Sequence, residues 1–391
     1  MKKVKFASTV SGICLLLILA ASVLTLSCAG TTPVPSSAPA TTSAPPAPAK
    51  PATPANKSIE LSLATIAPNL GSMGAELTWL SQEVAKRTNG AVTIKVFWAG
   101  SLAAATEMPD GIKKGTMDIA HIPWPIYAPS IVPLHTISTQ CLGYRGSPLA
   151  SWIAMEKLAS EFPEFNAELA ANNMVRLTYN GNYSQGMIMS KKPLRTLADF
   201  KGTKLAATSM IAQNQFKAVG AVPVFMTVQQ TLDATQKGVI DGELSQHGTA
   251  VRFKTYDVDK FATVLNSPPI FLQDVGFGCM MNINTWNSFT PDVQKAFTAM
   301  RAEFPLKSAE FQKQDVDQST KVLKDNGVEL ITLPAADNQQ WASLVPIEKS
   351  REDWIQWAVQ NTKITEARLR EIMARYLALY DELEKTYPPV Y

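Results

Sequence analysis

The alternation of polar and apolar residues along the chain predicts strands that take turns with amphipathic helices. Residues 58–65 (SIELSLAT) alternate as a half-buried strand does, and residues 70–87 repeat apolar side chains at helical spacing. Three further elements follow, a strand, a helix and a short strand, at residues 91–97, 104–114 and 117–120. Strands that alternate with helices are typical of a parallel sheet covered by helices.

The same rhythm resumes in the second half of the chain. Thr290 as a cap and Pro291 at the first helical position mark the start of a long helix. The predicted strands are 204–207, 223–225, 239–243 and 328–332, and the predicted helices are 211–219, 228–237, 290–326 and most of 337–384. A body of residues 57–391 is large for one core, so we expect two α/β lobes with a ligand site where strands lead into helices.

The first 56 residues differ from this body in composition. Residues 1–27 combine a lysine-rich start with an apolar run, which is the layout of a secretory signal. The run ends in TLSC, which resembles a lipoprotein cleavage site with Cys28 as the lipidated residue, although Thr25 stands where leucine is commoner. An ordinary signal peptide or a single-span anchor is the alternative. Residues 28–56 are almost wholly Ala, Pro, Ser and Thr, which predicts an extended tether.

The charge balance of the body argues against nucleic acid as a partner. Removal of residues 1–27 takes away three lysines and no acidic residue, so the formal net charge falls from +3 to zero. A neutral body offers no basic field for a nucleic acid. Only Cys141 and Cys279 remain in the body, and a disulfide and two separate thiols are both open.

The sequence contains none of the motifs that carry common enzyme chemistry. The three histidines have no spacing that would hold zinc, and neither a G-x-S-x-G nucleophile elbow nor a phosphate-binding glycine loop is present. We therefore predict a binding protein without a metal or cofactor. An exported enzyme and an exported ligand sensor for a membrane receptor are the alternatives.

Several short runs, in order, resemble the DctP-type solute-binding proteins of TRAP transporters, the tripartite ATP-independent periplasmic systems. KKPL at 191–194, LADFKG at 197–202 and KL at 204–205 are similar to the family's S-K-x-P-I…D-L-K-G-x-K-I run. The runs DGIKKGTMDI (110–119), GAVPV (220–224), QKGVIDG (236–242) and NGV (326–328) match further family segments. The likeness extends from about Ile59 to Leu344.

The resemblance implies a periplasmic-binding-protein-like α/β fold with two lobes and a long helix that spans both. Residues 57–183 and 272–311 would form lobe I, and residues 184–271 and 312–391 would form lobe II with the C-terminal helices. It also implies hinge closure over a small organic solute outside the cytoplasm, and delivery of that solute to the membrane subunits of a TRAP permease. A lipid on Cys28 would keep the protein at the membrane.

The chain departs from the family where the family binds a carboxylate. Resemblance places one of the family's two substrate arginines at Ala206 and the other at Gln185, and places an asparagine that braces the carboxylate at Ser245. The family's aromatic, Glu and Tyr positions hold Val228, Gln230 and Leu232. We therefore predict a neutral or weakly polar organic ligand, including aromatic ones. The alternative is that Arg176, Arg145 or Lys204 supplies the positive charge.

Candidate ligand contacts lie at the ends of the predicted strands and at the first crossing between lobes. They are Trp98, Glu107, Trp124, Tyr127, Tyr183 and Gln185, in addition to Ala206 and Ser245. For each aromatic residue the alternative is ordinary core packing. Trp124 lies between two prolines, which favours a ligand-binding role for it over a core role.

Overall fold

The strands of the body form two separate sheets. The computed structural model describes residues 58–141, 147–181, 186–208, 210–265, 276–344 and 346–388, and residues 56–391 form one compact unit. The strands are β1 Ile59–Thr65, β2 Val92–Phe97, β3 Ile119–Pro123, β4 Met174–Asn180, β5 Met187–Ser190, β6 Lys204–Ala207, β7 Val222–Phe225, β8 Gly242–Ser245, β9 Phe261–Val264, β10 Phe277–Asn282 and β11 Glu329–Thr332. The helices are α1 Gly71–Arg87, α2 Met108–Lys114, α3 Trp124–Tyr127, α4 Ile137–Gln140, α5 Pro148–Glu161, α6 Pro163–Ala170, α7 Met210–Ala218, α8 Val228–Gln236, α9 His247–Arg252, α10 Ile283–Asn287, α11 Pro291–Asp325, α12 Ala335–Leu344, α13 Ile347–Asn361 and α14 Glu366–Thr386.

Each sheet is the centre of one lobe. In lobe I the strand order is β2-β1-β3-β10-β4, with β1, β2 and β3 parallel and β10 antiparallel to both of its neighbours. In lobe II the order is β11-β9-β5-β8-β6-β7, with β5 antiparallel to β8 and β9. The chain therefore crosses from lobe I to lobe II after β4, returns before β10, and crosses again before β11. The predicted two-lobed α/β fold is confirmed.

The long helix α11 connects the two lobes. Its cap is Thr290, whose hydroxyl accepts from the Val293 backbone N–H, and Pro291 occupies the first turn as the sequence predicts. At 1.5 Å per residue its 35 residues extend about 52 Å. It packs against α1 and β4 in lobe I and against α9 in lobe II. One helix therefore contacts both lobes.

The last two helices pack on lobe I, whereas the sequence analysis assigns the end of the chain to lobe II. Trp354, Tyr376 and Tyr380 belong to the same buried core as Trp124, and the Tyr380 hydroxyl accepts from the Ser147 backbone N–H at 2.7 Å. Of the three helices that follow β11, only α12 packs in lobe II, where its Trp341 is fully buried. The apolar stripe of a helix shows which face is buried but not which neighbour buries it, so the sequence could not settle this point.

The predicted strand at residues 239–243 is displaced along the chain. Val239 is half exposed and Ile240 packs beneath α8, so pairing begins only at Gly242. A Cβ atom at Gly242 would collide with the Met189 carbonyl oxygen of the neighbouring strand, which explains the glycine. As a consequence Ser245 is the last residue of β8 rather than a residue beyond the strand, and Glu243 is the second residue of β8.

Both body cysteines are free thiols in buried positions. Burial raises the pKa of the Cys279 thiol to about 12 and also raises that of Cys141. Of the two alternatives open at the sequence level, the structure has separate thiols. Within the described ranges, no helix has the length and apolar character needed to cross a membrane.

Candidate functional site

A cleft of about 840 Å³, part of it open to solvent, lies between the two lobes. Lobe I contributes residues that follow β1 and end β3, including Ala67 and Pro123, together with Phe277 at the start of β10. Lobe II contributes the ends of β6 and β8, with Thr208 and Ser245 among the lining residues. The cleft thus occupies the carboxyl ends of parallel strands in both sheets, where open α/β sheets bind ligands.

Three of the candidate ligand contacts line this cleft, namely Tyr127, Ala206 and Ser245, and so does Val228 at the family's aromatic position. Ala206 also packs against Ala234 and Ile240, and it stands directly beside Glu243 in the neighbouring strand. The position at which the resemblance places a family arginine therefore faces the cleft with only a methyl group. The roles of these residues toward a ligand remain predictions.

Trp124 is a core residue, contrary to the sequence-based prediction. Its side chain is 1% exposed, and its indole N–H donates to the Gly278 carbonyl at 2.9 Å. It belongs to the lobe I core and borders a smaller interior cavity that it shares with Trp152 and Tyr179. The two flanking prolines fix the turn from β3 into α3 and aim the indole inward.

Two other candidates lie away from the cleft. Trp98 is partly buried against the lobe I core formed by β1, β2 and α1. Glu107 is exposed, and its carboxylate accepts from the Ala104 backbone N–H of its own turn at 3.1 Å. Tyr183, Gln185 and the lipidation candidate Cys28 lie outside the described residues, as does Arg145.

Substitution of Trp124 by phenylalanine tests its structural role. The Trp124→Phe variant keeps an aromatic ring but leaves the buried Gly278 carbonyl without its donor, so we expect a loss of about 1–3 kcal/mol in the free energy of unfolding. Urea denaturation measures this loss. Trp98→Phe is the matched control because Trp98 is only partly buried against its core, and it should lose much less. Equal losses in the two variants would refute the assignment.

The basic side chain in the cleft is Arg252, which the sequence analysis did not single out. Among the described lining residues it is the only basic one. Its guanidinium lies 3.0 Å from the Asp315 carboxylate and donates to the Thr249 hydroxyl at 3.1 Å. Burial lowers the pKa of Arg252, and Asp315 opposes this effect. Its charge is thus already balanced within the protein.

Arg176 and Lys204, two of the three cations proposed as alternatives to the family arginines, do not line the cleft. Arg176 is buried in lobe I, 3.0 Å from the Glu156 carboxylate and 4.6 Å from the centre of the Tyr179 ring. Lys204 is exposed at the opposite, amino end of β6. Neither lines the cleft.

Glu243 is the acidic group that lines the cleft. It is fully buried, and neither carboxyl oxygen makes a hydrogen bond within the described structure. Burial raises its pKa to about 7, although the nearby hydroxyls of Thr231, Thr255 and Ser245 oppose this. The alternation of β8 places Glu243 on the same face as Ser245, which is the signal that sequence reasoning could have used.

A second buried carboxyl group joins α1 to β4 and to the long helix α11. Glu76 of α1 accepts from the Asn180 amide at 2.6 Å and from the Gln312 amide of α11 at 2.9 Å. Burial raises the pKa of Glu76 to about 8. His121 lies 3.4 Å from the same Asn180 amide, and burial lowers its pKa to about 4. No cluster of three or more metal-ligating side chains occurs in the part of the chain that the structure describes.

The fold and the cleft together define the class of protein to which this chain belongs. Two α/β lobes joined by crossing strands and a shared helix, with a cleft at the strand ends between them, are the architecture of a two-lobed solute-binding protein. The family model DctP, described as bacterial extracellular solute-binding protein, family 7, matches residues 63–347. The chain belongs to this family, the TRAP-type extracytoplasmic solute-binding proteins.

Individual relatives agree with this membership. The chain is 23% identical over 287 residues to the C4-dicarboxylate-binding protein DctB of Bacillus subtilis (strain 168), covering 69% of this chain and 75% of that protein. A TRAP periplasmic solute-binding protein from Desulfovibrio salexigens DSM2638, solved in an open form, is 26% identical and has a TM-score of 0.69, over 83% of this chain and 97% of that one. A marine metagenome TRAP protein specific for aromatic acid ligands has 19% identity and a TM-score of 0.72, over 84% and 99%. This likeness shows that the marine metagenome protein and the present chain share a fold.

Proposed function

We propose that the cleft captures a small organic solute, that the lobes close over it, and that the protein delivers it to the membrane subunits of a TRAP permease. The observation that carries this proposal is the position of the cleft, because strand ends from both sheets line it. A solute bound there would contact both lobes at once. Contact with both lobes favours the closed arrangement, since a ligand shifts a conformational equilibrium toward the state that it binds better.

The lining favours a solute with an apolar body. Met73, Met226, Val228 and Phe277 supply apolar surface to the cleft. Ala206 provides no charge, and the charge of Arg252 is matched by Asp315. A carboxylate buried there without a positive partner would lose its hydration without compensation. We therefore expect a neutral or weakly polar solute, and aromatic rings of the size bound by the marine metagenome protein fit the apolar lining.

A tether completes the proposal. Cys28, as a lipidated residue, would hold the body at the outer face of the membrane through the Pro-rich residues 29–56. Tethering raises the concentration of a binding protein near its membrane partner without any new contact between the two.

The experiment begins with the solute that the protein carries. Purified protein is denatured, released compounds are identified by mass spectrometry, and candidates are retested by thermal shift on refolded protein. A solute at a hundred times its dissociation constant should stabilise the fold by about 2.7 kcal/mol. Tight binding of succinate or another simple dicarboxylate would contradict the expected solute class, and a lack of any binding would contradict solute capture.

Variants locate the site of capture. Ser245→Ala removes a cleft hydroxyl and should weaken binding of the identified solute by about 2- to 10-fold, as for the loss of one hydrogen bond. Glu107→Ala is the control, because that side chain is exposed outside the cleft and should leave affinity unchanged. Isothermal titration calorimetry measures both. The opposite ranking would place the site elsewhere.

A further inference from the structure

β8 and the residue that follows it place a row of buried polar atoms along the cleft. Both carboxyl oxygens of Glu243, the hydroxyl of Ser245 and the side-chain nitrogen of Gln246 lack hydrogen-bond partners. All three residues line the cleft, and they are 0%, 3% and 7% exposed. Buried polar groups normally find partners, because an unpaired one costs about 1–3 kcal/mol. This row of unpaired groups along one side of the cleft indicates that the solute supplies their hydrogen-bond partners.

The titratable groups in this part of the cleft whose charge is not already paired are acidic. The strand beside Glu243 contributes Ala206, which has no charge, and Arg252 is held by Asp315. Asp259 is a second fully buried carboxyl group, and its pKa is raised first by burial and then by the negative charge of the nearby Glu243. Neither carboxyl oxygen of Asp259 has a hydrogen-bond partner either. The positive charge of Lys191 acts on the pKa of Asp259 in the opposite direction, and no ion pair of Glu243 or Asp259 occurs among the described residues.

Thr255 connects the carboxyl groups of Glu243 and Asp259 through a short chain of contacts. The Asp259 backbone N–H donates to the Thr255 carbonyl at 2.9 Å, and the Thr255 hydroxyl is one of the groups near the Glu243 carboxyl. The Thr255 hydroxyl also lacks a hydrogen-bond partner. Oxygen atoms therefore surround Glu243, and they suit a positively charged donor group.

We propose that Glu243 binds a protonated amine of the solute, with Ser245 accepting a further N–H and the Gln246 amide donating to an acceptor on the same molecule. The resemblance to TRAP proteins implies an arginine beside this point that holds a carboxylate. In this chain the side chain at that position is a methyl group and the neighbouring charge is acidic, so the cleft has the opposite polarity. This inference rests on the proposed function, since it takes the cleft as the solute site.

The test compares molecules that share a ring and differ in one end group. The probes are benzylamine, benzyl alcohol and benzoate, and phenethylamine, 2-phenylethanol and phenylacetate, with sodium and calcium chloride alone as inorganic cations. Binding to the purified full chain is measured by calorimetry and thermal shift. We expect the amine of each set to bind about 10- to 100-fold tighter than its alcohol, and the carboxylate to bind most weakly.

Substitutions test whether Glu243 is responsible for the preference for amines over alcohols. Glu243→Gln should abolish the advantage of amine over alcohol while keeping a side chain of the same size. Asp233→Asn removes an exposed carboxylate of the same lobe, which pairs with Lys237, and should retain the advantage. Ser245→Ala keeps the carboxylate, so it should retain the amine preference at reduced affinity. Ser245→Ala thus tests the proposal even if Glu243→Gln fails to fold.

Several results of these comparisons would overturn the inference. They are carboxylates that bind tighter than amines, an amine preference that survives Glu243→Gln, stabilisation by sodium or calcium alone that Glu243→Gln removes, and an amine preference lost equally in Asp233→Asn. If alcohols bind and amines gain nothing, solute capture stands and the charge assignment fails. If no probe of any class and no released solute binds, the proposed function fails and this inference fails with it.

Discussion

The Glu243→Gln variant should be more stable than the unaltered protein at pH 8 and about equally stable at pH 5. Burial raises the pKa of Glu243 from 4.5 to about 7, so the folded protein holds this proton after the unfolded chain has released it. The free energy of unfolding therefore falls as the pH rises from about 4.5 through 7, and this one group accounts for about 3 kcal/mol of the loss. Glutamine cannot ionise, so the variant avoids this loss.

Urea denaturation of the solute-free protein at pH 5, 6, 7 and 8 measures the effect. Asp259 and Glu76 have pKa values raised to about 7 and about 8, so the variant should still lose stability with pH, but less steeply. Glu60→Gln, at an exposed position of β1, is the control and should follow the unaltered protein. A gain from Glu243→Gln that is the same at pH 5 and pH 8 would show that ionisation of this group is not the cause.

Replacement of Asp315 by alanine should lower the free energy of unfolding by about 3–5 kcal/mol, because it leaves the buried guanidinium of Arg252 without its ion-pair partner. Asp315 lies on α11 and also accepts from the Ser72 hydroxyl of α1 at 3.0 Å. It thus joins α1 of lobe I to α9 of lobe II. Urea denaturation at pH 7 measures the loss.

The neighbouring position Asp317 provides a matched control. Asp317 pairs with Lys313 on the exposed side of the same helix, so Asp317→Ala should cost less than about 1 kcal/mol. The double variant Arg252→Met with Asp315→Ala removes both charges and should recover part of the loss. If Asp315→Ala costs no more than Asp317→Ala, the pair does not stabilise the contact between the lobes.

Local patterns in the sequence predicted most of the fold. The alternation that predicts β1, the cap and proline that begin α11, and the glycines that end α2 and α8 act over a few residues, so one sequence contains them in full. The position of α13 and α14 depends on a partner that lies some two hundred residues earlier in the chain. No local pattern specifies such a contact.

The cleft was predicted less completely than the fold. Ala206 and Ser245 were found because the resemblance marked their positions, and Tyr127 because it follows a strand end. Glu243 and Arg252 match no family motif. The importance of Glu243 depends on its burial without a hydrogen-bond partner, and that of Arg252 depends on its buried ion pair with Asp315. Trp124 shows the reverse error, because a tryptophan between prolines at a strand end has the same sequence whether its indole points into the cleft or into the core.

The packing of α14 on lobe I has a practical consequence for anyone who wishes to convert this protein into a biosensor. The body begins with β1 and ends with α14, and both elements belong to lobe I. Fluorescent proteins fused before β1 and after α14 would therefore both be attached to lobe I, and the proposed closure of the cleft would leave their separation unchanged. A sensor needs one reporter inserted within lobe II, for example on the exposed surface of α8, and the other at the end of the chain.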